Sequence, residues 1–183
     1  MQITGIILSG GQSTRMGTDK ALIQINEKTL LENEIDICKP VLSEILVSSN
    51  NPDHGKFGAK IIPDEFTNCG PLSGIYSCLK QSETDWNFVI SVDAAFVKPE
   101  FIQYLIDQID DFDAIVPLHD NGIEPLISMY HKNGLDEMLK HLKSGNFKMQ
   151  NLINVINTKF VDSQKWIEKY PKIFRNLNRP EDL

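Results

Sequence analysis

Cysteine is scarce in this chain, and what there is does not pair: Cys38, Cys69 and Cys78 are odd in number and include no Cys-x-x-Cys. That spacing excludes a zinc knuckle or a dithiol redox motif and fits reduced thiols in a cytosolic protein. Positive charge is also short, with 18 Lys and Arg against 25 Asp and Glu and a formal net charge of −7. A nucleic-acid binder would carry a basic footprint, so nucleic acid is excluded as a partner. No apolar run is long enough for a membrane span, and Met1 leads straight into a short apolar stretch with no basic segment before it. Neither a secretory leader nor a membrane anchor is expected, and the expected location is the cytoplasm. His54, His119, His131 and His141 show no metal-ligand spacing and no paired nucleophile, so surface or packing roles are expected for all four. Cys69 stands beside Gly70 with no histidine near it in sequence, and no catalytic role is expected for it.

What is present is ordinary globular material: 183 residues, 41% hydrophobic and 23% charged. That is enough for one domain, 1–183, with a core that needs no disulfide or metal staple. Short apolar runs read as buried strands at 3–8, 44–48, 60–62, 87–92 and 114–117, with a further strand at 124–130. Helical patterns fill the gaps at 30–39, 71–81, 100–110 and 134–142, and 152–156 reads as a helix end or a short strand. Strands alternating with helices predict an α/β fold, a Rossmann-like three-layer α/β/α sandwich with a mostly parallel central sheet. In such sheets ligands bind beyond the carboxyl ends of the strands.

The junction after the first strand carries the strongest signal, Leu8-Ser9-Gly10-Gly11-Gln12-Ser13-Thr14-Arg15-Met16-Gly17-Thr18-Asp19-Lys20. The adjacent Gly10 and Gly11 permit positive φ and close approach of the backbone to a bound group. The N–H groups of such a turn suit phosphate oxygens. Arg15 suits a bidentate grip on phosphate, and Lys20 suits charge neutralisation on a transferring phosphoryl group. The third glycine of the dinucleotide motif and the Gly-Lys-Ser/Thr of the P-loop are both missing. The pattern fits a triphosphate lying across the loop, with Lys20 arriving from its far end. Because the net charge repels an anionic nucleotide, the loop cations and Mg²⁺ are needed to offset it.

Asp93 ends the apolar run at 87–92, where a single carboxylate suits Mg²⁺, which takes its remaining ligands from phosphate and water. A role as N-cap for a helix starting near Lys98 is ruled against by the gap between them. Asp64 follows Pro63 after the run at 60–62 and reads either as a turn residue or as a contact to ribose, base or metal shell. Gly70-Pro71-Leu72-Ser73-Gly74 is a helix start whose first N–H groups can face a base or a phosphate. Gly70 and Gly74 serve either close packing or approach of a ligand.

Taken together, these residues resemble the molybdenum cofactor guanylyltransferase family, of the nucleotidyltransferase superfamily. The carriers are the stretch Leu8 to Lys20, then Asp64, then Gly70 to Gly74, then the strand ending at Asp93, and Asn176-Leu177-Asn178-Arg179-Pro180-Glu181-Asp182-Leu183 at the end of the chain. The resemblance implies the nucleotide-diphospho-sugar transferase type of sandwich and a Mg²⁺-dependent transfer of GMP from GTP to molybdopterin or the molybdenum cofactor. It implies Leu8, Ser9, Gly10 and Gly11 as the GTP loop, Lys20 as the phosphate-contacting lysine, Asp64 as a GTP contact, and Asp93 as the shared GTP and Mg²⁺ ligand. On the molybdopterin side it implies Asn176 and Asn178, with Lys148 as a weaker candidate for a pterin phosphate. Further implied partners are molybdenum-insertion proteins and acceptor molybdoenzymes, with a monomer favoured.

Two positions depart from the family pattern. Ser48 stands where a base-side Asn is commoner, and Asn50 is placed to substitute for it. Ala95 stands where the family has proline after the metal aspartate, so the loop Asp93-Ala94-Ala95-Phe96 is expected to be less rigid. Two other readings stay open: a different nucleotidyltransferase of the same fold, such as a cytidylyltransferase, and a nucleotide-binding adaptor without catalysis.

Overall fold

The computed structural model describes residues 1–10, 19–25 and 27–177. Their centre is a sheet in the order β10-β7-β9-β6-β1-β4-β5. Its strands are β1 (Thr4–Leu8), β4 (Glu44–Ser48), β5 (Lys60–Ile62), β6 (Trp86–Ser91), β7 (Ala114–His119), β9 (Ile127–His131) and β10 (Thr158–Asp162), with β8 (Gly122–Ile123) paired to β7. All neighbours on the main path run parallel except β9, which is antiparallel to both β6 and β7. A separate antiparallel ribbon joins β2 (Gln24–Ile25) to β3 (Lys28–Thr29).

The inner strands of the sheet are buried on both faces, which is why they read as continuous apolar runs. Ile7, Phe88, Ile90 and Met129 turn to one face, where they meet α1 (Leu30–Cys38) and α3 (Pro99–Ile106), and α6 (Gln164–Lys169) packs its Trp166 and Ile167 against the same cluster. Ile6, Leu8, Leu46, Val89 and Tyr130 turn to the other, under α2 (Pro71–Gln81), α4 (Leu135–Ser144) and α5 (Met149–Ile153). This is the three-layer sandwich predicted from the sequence. No described helix is long and apolar enough to cross a membrane. All three cysteines are buried and free, and burial pushes the Cys38 and Cys78 thiols well above the usual range.

Local chemistry sets the element ends. Thr29 and Glu32 form a reciprocal capping box that starts α1: Thr29 Oγ1 accepts from the Glu32 N–H, and Glu32 Oε2 from the Thr29 N–H. Strands 44–48 and 60–62 and helix 71–81 have the expected bounds. The helix expected at 100–110 stops at Ile106. Beyond it Asp110 accepts from the following N–H, the competition by short acidic side chains that ends helices. The helix expected at 134–142 runs on to Ser144 and closes on Gly145, at φ 76°. The strand expected at 124–130 is shorter at its start, and 152–156 belongs to the end of α5 and the turn after it.

The carboxyl ends of β4, β1 and β6 are flush, since Leu8 is in register with Ser48 on one side and Ser91 on the other. The chain leaves β1 towards β4 and β5 and returns on its opposite side as β6. That reversal opens the crevice in which sheets of this kind bind ligands.

Candidate functional site

A cavity of about 560 Å³ lies in that crevice. Leu8, Ser9 and Gly10 at the end of β1 lie in the middle, with Ser91, Val92 and Asp93 at the end of β6 on one side and Ser49 to Pro52, following β4, on the other. Asp19 and Lys20 bridge the two, Asp19 bonded to Asn51 and Lys20 to Asp93. The volume is that of a small-molecule site.

Asp93 is held from three directions. Its Oδ1 accepts from the Ser91 hydroxyl at 2.6 Å, its Oδ2 from Lys20 Nζ at 2.7 Å, and its carbonyl from the Leu177 N–H at 2.8 Å. The Lys20 and Asp93 side chains are only 19% and 16% exposed, so this ion pair is partly shielded from solvent. Lys98, not Asp93, caps α3. The turn after Asp93 is pinned at several points: Ala94 N–H donates to the Ser91 carbonyl, Val97 N–H to that of Ala94, and Asn33 Nδ2 to that of Ala95 at 3.4 Å. These bonds restrain the loop at the position where Ala95 replaces the family's proline.

Leu8, Ser9 and Gly10 all line the cavity, but their backbone groups differ in what they have to offer. Ser9 donates its N–H to the Ser48 carbonyl at 3.0 Å, and the Leu8 carbonyl accepts from Val92. Donors for a bound anion therefore begin no earlier than Gly10. Gly10 does not have positive φ, and a Cβ built there would stand 3.8 Å from Asp64 Oδ2 and 3.9 Å from the Ser48 carbonyl, ordinary contact distances. Gly11, Arg15 and Asn178 lie outside the described residues.

Ser48 is buried and does not line the cavity; its hydroxyl donates to Asp64 Oδ1 at 2.8 Å. Asn50 does line it, and its Oδ1 accepts from the Asp64 N–H at 3.1 Å. Burial pushes the Asp64 carboxyl above its usual range, against the opposing effect of the Ser48 bond. Gly70 has φ 63° and precedes Pro71 at the start of α2, away from the cavity lining. Its glycine is required by backbone conformation. Gly74 is required by packing, since a Cβ there would collide with the Ser48 hydroxyl. Asn176 is exposed, one residue before the Leu177 that bonds Asp93; Lys148 is exposed and outside the cavity lining.

One site residue went unrecognised in the sequence. His54 is 1% exposed and sits between Ser9 and Asp19, with Nδ1 3.2 Å from Ser9 Oγ and Nε2 2.9 Å from Asp19 Oδ2. The expected surface or packing role is thus incomplete. A signal was available: Asn51-Pro52 opens a helical turn directly after β4, on the cavity side of the sheet. No three described His, Cys, Asp or Glu residues cluster to hold a metal by themselves. The single strand-tip carboxylate fits an ion such as Mg²⁺, which takes most of its ligands from phosphate and water.

A glycine at the end of β1, a lysine and a strand-tip carboxylate face one cavity at a switch point of a mostly parallel sheet, the arrangement of an α/β protein with a small-molecule site at its strand ends. The chain belongs to the MobA-like NTP transferase family, whose model matches residues 5–159. It is 34% identical over 187 residues to the molybdenum cofactor guanylyltransferase of Vibrio parahaemolyticus, covering 100% of this chain and 93% of that one. It is 32% identical to the probable molybdenum cofactor guanylyltransferase of Halalkalibacterium halodurans, covering 98% and 94%. Among solved structures, molybdopterin-guanine dinucleotide biosynthesis protein A of Archaeoglobus fulgidus shares the fold, with a TM-score of 0.82 at 24% identity over 98% of this chain and 94% of that one.

Proposed function

We propose that the protein transfers GMP from GTP to the terminal phosphate of molybdopterin or the molybdenum cofactor, forming molybdopterin-guanine dinucleotide and releasing pyrophosphate. The observation that carries this reading is the meeting of Lys20 with Asp93, 73 residues apart in sequence, across a cavity walled by Gly10. Among the described residues neither backbone conformation nor space asks for glycine at position 10, which agrees with close approach of a bound phosphate there. The names of the relatives supply the guanylyl and molybdenum cofactor specificity.

An oxygen of the acceptor phosphate attacks the α-phosphorus of GTP, and the bond to the pyrophosphate oxygen breaks. The acceptor is already an anion, so no covalent enzyme intermediate and no general base are needed. The residues act by alignment and charge neutralisation. Lys20, with Arg15, holds the leaving pyrophosphate, and the Gly10 turn cradles the triphosphate. Asp93 would hold Mg²⁺, which supplies charge neutralisation on the phosphate oxygens. Asn50 lines the cavity and, with its Oδ1 bonded to the Asp64 N–H, keeps its amide donor for the base side; Asp64 stands behind it, outside the cavity lining, with Oδ1 bonded to Ser48.

Turnover of GTP, CTP, ATP and UTP with molybdopterin and Mg²⁺ tests the reading by pyrophosphate release. GTP is expected to lead by at least about tenfold. A lead for CTP overturns the guanine specificity, and no release from any nucleotide overturns catalysis.

A further inference from the structure

His54 joins two places that the glycine loop separates. Ser9 is the last residue before Gly10, and Asp19 directly precedes Lys20, so the two are the stems of the segment between them. The imidazole touches both, and does so from inside the protein, at 1% exposure. A carboxylate only accepts, which assigns a proton to Nε2, while Nδ1 lies within hydrogen-bond distance of the Ser9 hydroxyl. Asp19 Oδ2 takes a second bond from Asn51 Nδ2 at 2.7 Å, while its Oδ1 caps the turn Lys20–Leu22 by accepting from Ala21 N–H at 3.1 Å. Asp19 is therefore fixed at both oxygens, and the residue it carries next is the lysine that reaches Asp93. His54 is itself set by the helical turn Pro52–Phe57, where its N–H donates to the Asn51 carbonyl and the Asn51 side chain caps the turn.

We propose that His54 is a positioning residue: it locks the two stems of the glycine loop together and thereby sets Lys20 against Asp93. The ring itself has almost no contact with solvent and takes no part in bond making. Its catalytic consequence rests on the nucleotidyl-transfer reading, whereas its effect on Lys20 does not.

The test separates the two. Backbone hydrogen exchange at Ala21 reports the Asp19 cap directly, with Ile6 and Ile7 in β1 as reference for global stability. In His54→Phe, Ala21 is expected to exchange at least about tenfold faster while Ile6 and Ile7 keep their wild-type rates. In pyrophosphate release from GTP, kcat is expected to fall about tenfold with KM for GTP within about threefold. His54→Gln, which can still donate to Asp19, is expected to recover most of both. Should His54→Phe fail to fold, Asp19→Asn decides, because an amide cannot accept from His54 and Asn51 while also capping Ala21. Wild-type exchange at Ala21 in the folded variant overturns the inference whatever the catalytic rate. An unchanged kcat with faster exchange overturns its catalytic part. A wild-type protein that releases no pyrophosphate overturns the proposed function and leaves the exchange result standing.

Discussion

Lys20 and Asp93 are bound to each other at 2.7 Å while facing a cavity sized for a small molecule, an arrangement that holds both charges ready for a third, anionic partner. Replacing Lys20 by Met removes one of the few cations set against phosphate in a chain of net charge −7. We expect kcat/KM for GTP to fall by about 10²–10³, the scale seen when one preorganised charge-stabilising donor is lost. Pyrophosphate release checks this, with the unfolding midpoint as control. At this scale the sequence was informative wherever chemistry is local: a lysine closing a glycine-rich segment and an aspartate at the end of an apolar run announce themselves. It was uninformative wherever the partner is distant. Nothing in the neighbourhood of His54 points to Ser9 or Asp19, and only the fold shows that the Ser9 N–H is committed to Ser48.

The elements beneath the site impose their own constraints. Helix α2 lies so close to β4 that Gly74 abuts Ser48, which in turn holds Asp64. Gly74→Ala is expected to destabilise by about 1–3 kcal/mol through overpacking. Ser48→Ala in the same chain should recover part of that loss in chemical denaturation. In α1, Glu34 is fully buried, and its Oε2 has no hydrogen-bond partner among the described residues. Burial pushes its carboxyl well above the usual range, against the opposing bond from Asn33 and with a smaller push from the charge of Asp93. The folded state thus keeps a proton that the unfolded chain releases, so stability falls as pH rises from the unfolded carboxylate range towards the raised folded value. Glu34→Gln is expected to raise the unfolding temperature at neutral pH, by a margin that grows with pH and vanishes below the unfolded carboxylate range. Thermal melts across pH check the sign. Strands with an apolar run were legible from sequence, and β10 was not, because among 158–162 only Val161 is buried. The antiparallel sense of β9 also has no local signature, since direction is set by which neighbours it joins.

The molecule as a whole is acidic, and its cavity sits where the sheet order reverses around β1. The general field opposes a nucleotide and the local cations favour it, so binding should depend on a divalent ion. With Mg²⁺ and GTP at about 100 times Kd, ligand linkage stabilises the native state by about 2.7 kcal/mol. In a chain of this size that is a rise of about 5–10 °C in Tm. GTP without a divalent cation should give a much smaller shift. The layered architecture and the location of the crevice were both legible, because alternating strand and helix patterns leave few ways to cover a parallel sheet. The reading of Asn176 as a molybdopterin contact rests on resemblance alone; what the fold adds is that its neighbour Leu177 bonds the Asp93 carbonyl, a contact no pattern in that segment announces.

The most direct test is the rate of pyrophosphate release from GTP, with molybdopterin and Mg²⁺, by Asp93→Asn against the unaltered protein. Asparagine keeps the shape and loses the charge that faces Lys20 and would hold the metal. The account predicts a fall of at least about 100-fold with the fold intact. A rate within about threefold of the unaltered protein, from a folded variant, would contradict it.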